Sequence, residues 1–130
     1  MSNKSTILST FNDHFMDFVN DIYSIFPDSV DILSAKNSFS LIRKANPKMI
    51  IKIWQSYVVE KYGVEIDNGD ISFFLNKDYK TDLTKAEHSD KIIEAINRLR
   101  SSIQLLNEDN KAKTIKYIQN LKKLSCLYHQ

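Results

Sequence analysis

The chain has 130 residues, 42% of them hydrophobic and 26% charged, with a net charge of +2. A chain of that length fits one domain and buries roughly two-thirds of its unfolded surface, so folding requires neither a disulfide nor a metal. The single cysteine, Cys126, excludes an internal disulfide and fits a reducing compartment.

Two glycines and two prolines are the only strong breakers in an apolar pattern of helical period. This predicts an all-α, single compact domain over 1–130 with five to six helices. After a flexible N-terminus at about 1–5, the first helix is expected to run from about 5 to 26. Leu8, Phe11, Phe15, Phe18, Val19, Ile22, Ile25 and Phe26 form its apolar stripe, and Asp13, Asp17, Asn20 and Ser24 its polar face. Asp28 is placed to cap a second helix at about 29–45, with Ile32, Leu33, Phe39, Leu41 and Ile42 turned to the core.

Asn46 is read as the cap of a third helix and Pro47 as its first residue, where a missing N–H costs nothing. Ile50, Ile53, Trp54, Tyr57 and Val58 make its stripe, and Gly63 is read as its C-terminal cap. Residues 64–83 are expected to be irregular but ordered. Asn68 or Asp70 is placed to cap a short turn there, and Phe74, Tyr79 and Leu83 serve as apolar anchors.

A fifth helix at about 89–107 carries Ile92, Ile96, Leu99, Ile103 and Leu106. Asn107 caps the last helix, with Glu108 and Asp109 in its first turn and Ile115, Ile118, Leu121, Leu124 and Tyr128 inward. The short connector predicts an irregular bundle with a C-terminal antiparallel helix hairpin.

The small net charge conceals alternating blocks. Residues 1–35 hold Lys4 against five aspartates, and residues 36–61 hold six bases against Glu60. Residues 65–94 are acidic, and residues 98–130 hold seven bases against Glu108 and Asp109. Helices of opposite sign packed as neighbours explain this, as does a polarised surface that docks a charged partner.

Groups capable of chemistry are sparse. His14 and Asp17 share a helix face, but two ligands are not a metal site. Asp67-Asn68-Gly69-Asp70 lacks the alternating donors and closing glutamate of a calcium loop and reads as a turn with a cap. Cys126, between Leu124 and Leu127, reads as a buried or half-buried thiol. With no glycine-rich phosphate loop and no nucleophile elbow, the chain is expected not to be an enzyme and to use no cofactor and no metal.

Basic clusters are the clearest surface signal. Arg43, Lys44, Lys48 and Lys52 lie around one helix corner, and Lys113, Lys116 and Lys123 along the last helix. They suit phosphates or an acidic partner, though no aromatic residue is interleaved for base stacking. Met16, Tyr23, Met49, Val59 and Leu105 fall off the core stripes and, with Tyr79 and Leu83, are candidates for a protein interface.

Several strings resemble a family of short helical proteins encoded by large double-stranded DNA viruses of protists and algae, mimivirus-like and chlorovirus-like. They are Phe11-Asn12-Asp13-His14-Phe15 with Phe18-Val19, Phe26-Pro27-Asp28, Ala35-Lys36-Asn37-Ser38, Arg43-Lys44-Ala45-Asn46-Pro47-Lys48, Asn68-Gly69-Asp70-Ile71-Ser72-Phe73-Phe74, Asn76-Lys77-Asp78-Tyr79 and Lys116-Tyr117-Ile118-Gln119-Asn120-Leu121. The resemblance spans roughly residues 10–128. It implies a viral origin and a non-enzymatic helical protein, and it brings no ligand or site with it.

The expected role is protein–protein interaction or structural assembly, with viral or host proteins or a second copy as partner. The expected place is the host cytoplasm, the virus replication site or the virion. The alternative is a nucleic-acid-binding accessory protein that uses the lysine-rich faces. A polar start without the apolar core of a signal peptide, and the lack of a run of about 18 apolar residues, lead to the expectation of no membrane span. Under the same expectation the sequon at Asn3 carries no sugar.

Overall fold

The computed structural model describes residues 4–70, 94, 95, 98, 99 and 102–130. Every regular element among them is helical: α1 (Lys4–Ile25), α2 (Val30–Ala45), α3 (Met49–Trp54), a π-helical segment (Gln55–Val59), α4 (Glu60–Asp67) and α5 (Glu108–Tyr128). Residues 94, 95, 98, 99, 102 and 103, within the predicted fifth helix, are helical as well. Tyr79 and Leu83 lie outside the described residues.

The long α1 organises the packing. It lies against α2 and α3 and, most extensively, against α5, while α4 packs on α5. Its stripe buries Phe11, Phe15, Phe18, Val19 and Ile22. Phe15 is at the centre, with ring centroids 4.7 Å from Phe39 and 6.0 Å from Trp54, both edge-on. That arrangement sets the electropositive ring edge against the electronegative face. From α5, Ile118 and Leu121 close the core, joined by Leu99 and Ile103.

Helix boundaries follow caps that the sequence reading places one step away. Ser29, not Asp28, begins α2: its backbone is extended and its Oγ accepts the Ile32 N–H at 3.2 Å. An N-cap acts on the amide three residues on, and Asp28 stands one residue too early. Asn46 acts as a turn residue ahead of α3, because its Oδ1 accepts from the Lys48 N–H and its carbonyl from the Met49 N–H. Pro47 therefore lies in that turn and not in the helix. Asn107 caps α5 as expected, accepting from the Asn110 N–H at 2.8 Å.

The third predicted helix does not end at Gly63. The backbone breaks at Tyr62, the expected end of that helix, but helical conformation resumes at Gly63 and runs to Asp67, so residues 64–67 are the end of α4 and Ile66 is fully buried. The stop is at Gly69, where φ is +74°. The Gly69 N–H donates to the Ile66 carbonyl and the Asp70 N–H to the Glu65 carbonyl, the paired bonds of a Schellman cap. Gly63 instead gives room to α5: a Cβ there would meet Lys122 Cε at 3.4 Å, and Lys122 reaches past it to Asp67 at 2.9 Å. We therefore expect Gly69→Ala to lower stability by about 1–2 kcal/mol, the strain of a left-handed alanine. Gly63→Ala should lose less or gain, since alanine favours a helix interior by about 1 kcal/mol. Urea midpoints of the two variants test the distinction.

The π-helical segment moves the buried stripe. Ile50, Trp54 and Val58 are buried at four-residue spacing; at the end of the segment Val59 is buried beside Val58, and beyond it the buried set passes to Ile66, with Tyr62 packed alongside. A π turn inserts an extra residue and so rotates everything that follows. Val59, proposed from sequence as an interface residue, is only 7% exposed for this reason. Tyr62, at φ −126° and ψ 21°, adds a kink.

Candidate functional site

Helix α2 forms the ridge between two clefts. Its inner face buries Ile32, Ala35 and Phe39, which cover α1. Its outer face carries Val30 at 74%, Leu33 at 40% and Leu41 at 68% exposure. Leu33 and Leu41 are core residues in the sequence reading, and the structure turns both to solvent; Ile25 of α1 is likewise exposed. A 3.6-residue period cannot bury two opposite faces of one helix unless a second body covers it.

The cleft between α1 and α2 has a volume of about 570 Å³. Its walls carry Ser5, Ser9 and Asn12 from α1, Ser40, Arg43 and Lys44 from α2, and Leu8, Met16 and Pro47. Two of the predicted basic residues, Arg43 and Lys44, thus meet in one depression. Arg43 is already engaged, its Nη2 lying 2.6 Å from Asp13 Oδ1. Asn12 is 2% exposed and its Nδ2 donates to the Pro47 carbonyl at 3.0 Å, tying α1 to the α2–α3 turn. The Asn12 Oδ1 is buried with no hydrogen-bond partner among the described residues.

The second cleft, about 500 Å³, lies between α2 and residues Glu94, Ala95 and Arg98. Leu41, Ile42, Ala45 and Ala95 supply an apolar floor, with Ser34 and Ser38 along the α2 wall. Arg98 stands at its edge, paired with Glu94 at 2.7 Å and with Asp31 of α2 at 3.3 Å.

Lys44, Lys48, Lys52, Lys113, Lys116 and Lys123 are all exposed, and none makes an ion pair among the described residues. Of the off-stripe apolar residues, Leu105 is 76% exposed, whereas Met16, Tyr23 and Met49 are half-buried against the core. Lys36 Nζ sits 5.1 Å from the Tyr23 ring centroid and screens it further.

His14 engages an aromatic ring: its centroid is 4.9 Å from that of Tyr117. The Tyr117 hydroxyl donates to Asp21 Oδ2. Burial first, and then the hydrogen bond to Asp21, push the Tyr117 phenol up to about 12. Because the folded value lies above the ordinary value near 10, the folded state holds this proton more tightly than the unfolded chain. The contribution is complete below about pH 10 and is lost as pH rises towards 12. Tyr117→Phe is therefore expected to flatten the alkaline fall in stability, read from urea midpoints between about pH 9 and 11.5.

Sequence reasoning missed two polar links in the core. Asn12 is in phase with Leu8, Phe15 and Val19, and that phase was the available signal for burial. Ser125 continues the buried row of Thr114, Ile118 and Leu121; its hydroxyl donates to Gln55 Oε1 at 2.7 Å, joining α5 to the π-helical segment. Among the described residues no group of three His, Cys, Asp or Glu side chains is placed to hold a metal ion. No helix of the described residues is long and apolar enough to cross a membrane. No family model matches the chain, and it matches neither a curated protein nor a solved structure.

Proposed function

We propose that this chain is a non-enzymatic protein–protein interaction or structural module that docks its partner along the outer face of α2. The observation that carries this reading is the exposure of Val30, Leu33 and Leu41 on one face, flanked by a basic cleft and an apolar one. Exposed apolar residues are ordinary singly; a row of them on one helix beside a cleft is the arrangement of an interface. The proposal includes a viral setting, in the host cytoplasm, at a replication site or in the virion, which rests on the resemblance of the quoted strings.

It also includes an irregular bundle closed by a C-terminal antiparallel hairpin. Supporting the hairpin, the Leu105 and Leu106 N–H groups donate to Ser102 and Ile103, tightening the chain just before the Asn107 cap. The test of the docking reading is quantitative co-purification of wild type, Leu41→Glu and Lys116→Glu from the cells in which the protein is made. A partner lost with Leu41→Glu and kept with Lys116→Glu supports it. A partner that ignores Leu41→Glu, or no partner at all, contradicts it.

A second reading, nucleic-acid binding, is favoured by the six exposed lysines that make no ion pair among the described residues. It requires affinity that falls by orders of magnitude between about 50 and 200 mM salt. Fluorescence anisotropy with duplex and single-stranded oligonucleotides decides it, and no binding at the low-salt end removes it.

A further inference from the structure

We propose that the cleft between α1 and α2 binds a phosphate monoester that carries an apolar body. This site uses the flank of α2 turned towards α1 and does not depend on the docking role of the outer face. Ser5, Ser9, Asn12 and Met16 recur every three or four residues on α1, so they share one stripe; Ser40, Arg43 and Lys44 do the same on α2. The two stripes line one depression of about 570 Å³, a size usual for small-molecule sites.

The chemistry of this lining is one-sided. Among the described residues that form it, two are cationic, three are serines and none is acidic, in a chain with 16 aspartates and glutamates. Hydroxyls, an ammonium and a guanidinium can all donate, and a phosphate dianion accepts. Elsewhere the helix hydroxyls of Ser24, Ser102 and Thr114 turn back onto carbonyls of their own helix. Those of Ser5, Ser9 and Ser40 make no hydrogen bond among the described residues. Ser5 also lies in the first turn of α1, where the helix dipole favours negative charge.

The two cations have separate parts. Asp13, which is outside the cleft lining, accepts from Arg43 Nη2 at 2.6 Å. That bond fixes the guanidinium and leaves its Nε and Nη1 donors for a ligand. Asp13 offsets the Arg43 charge, so the net positive charge is that of Lys44, which is exposed and makes no ion pair among the described residues. The cleft on the other side of α2 contrasts with this one: Glu94 lines it and pairs with Arg98, so its charge cancels.

Leu8, Met16 and Pro47 complete the lining, and the first two are only partly buried against the core. A bare phosphate leaves them uncovered, whereas an aromatic or aliphatic ester group takes apolar surface out of water there.

Amide chemical-shift titration of the isotope-labelled full chain with phenyl phosphate is the test. Saturable shifts are expected at Ser9, Ser40 and Lys44, with a dissociation constant on the order of 1 mM. Inorganic phosphate and phenol should each bind more weakly. Lys44→Gln should weaken phenyl phosphate about tenfold, the loss of one charged hydrogen bond, and Lys116→Gln on α5 should leave it unchanged. No saturable shift up to about 20 mM, equal losses in the two variants, or phenyl phosphate no tighter than inorganic phosphate or phenol would overturn the proposal. Shifts along both lysine rows with an oligonucleotide, and none with phenyl phosphate, would also overturn it and leave the nucleic-acid reading in its place.

Discussion

Replacing Phe15 by alanine is expected to destabilise the protein by about 3–5 kcal/mol, the usual range for emptying a core phenylalanine site. Phe15 is 1% exposed and lies among the rings of Phe11, Phe18, Phe39 and Trp54. These neighbours come from α1, α2 and α3, so no single helix can move to fill the space without giving up a contact elsewhere. Against a total stability of about 5–15 kcal/mol, the loss is a large fraction of what holds the chain folded. Urea denaturation should show a midpoint far below wild type with a similar slope. Phe15→Leu, which refills most of the volume, should lose less than half as much. Equal losses in the two variants would mean that Phe15 is not at the centre of the packing.

The second large effect is expected for Asn12→Asp, a change of one atom. In the native chain the Asn12 Nδ2 donates to the Pro47 carbonyl, and the side chain is 2% exposed. An aspartate cannot donate there once ionised, and its charge would face a carbonyl oxygen in a buried place. The acid would titrate above its ordinary value near 3.9 in the folded state. The sign follows: the variant is close to wild type below about pH 4, where the protonated acid can still donate. It then loses up to about 1.4 kcal/mol per pH unit as pH rises towards the folded value. Asn12→Ala removes the same bond without the charge and should show a smaller, pH-independent loss. Urea midpoints at pH 4 and pH 7 separate the two, and equal pH dependence would show that position 12 is open to water.

Helix positions were legible where a single face is apolar and the ends carry local signals. The stripe of α1 from Phe11 to Ile22 and the Asn107 start of α5 depend only on spacing and on hydrogen bonds within one turn. The errors lie where a neighbouring helix decides. Gly63 has the composition of a cap but serves the approach of Lys122, while the left-handed residue is Gly69. Val59 was assigned outward by a constant period that the π-helical segment breaks.

The candidate site was less legible than the fold. Leu33 and Leu41 look like core because apolar spacing on a helix does not say which of two faces the protein covers. That ambiguity hid the ridge that carries the present reading. Arg43 and Lys44 were visible as a basic cluster, but the ion pair of Arg43 with Asp13 depends on a contact thirty residues away in sequence. The α5 lysines were visible for the opposite reason: an outward face of a terminal helix needs no tertiary information.

The central claim is that the outer face of α2 is where this protein meets another. Its most direct test places a photo-activatable cross-linking residue at position 41 and, separately, at position 116 of α5, and irradiates the protein in the cells that make it. The account predicts one discrete protein adduct from position 41, with the mass of a second copy of the 15.1 kDa chain or of a single other partner, and none from position 116. Adducts of equal yield from both positions, or none from position 41, would contradict it.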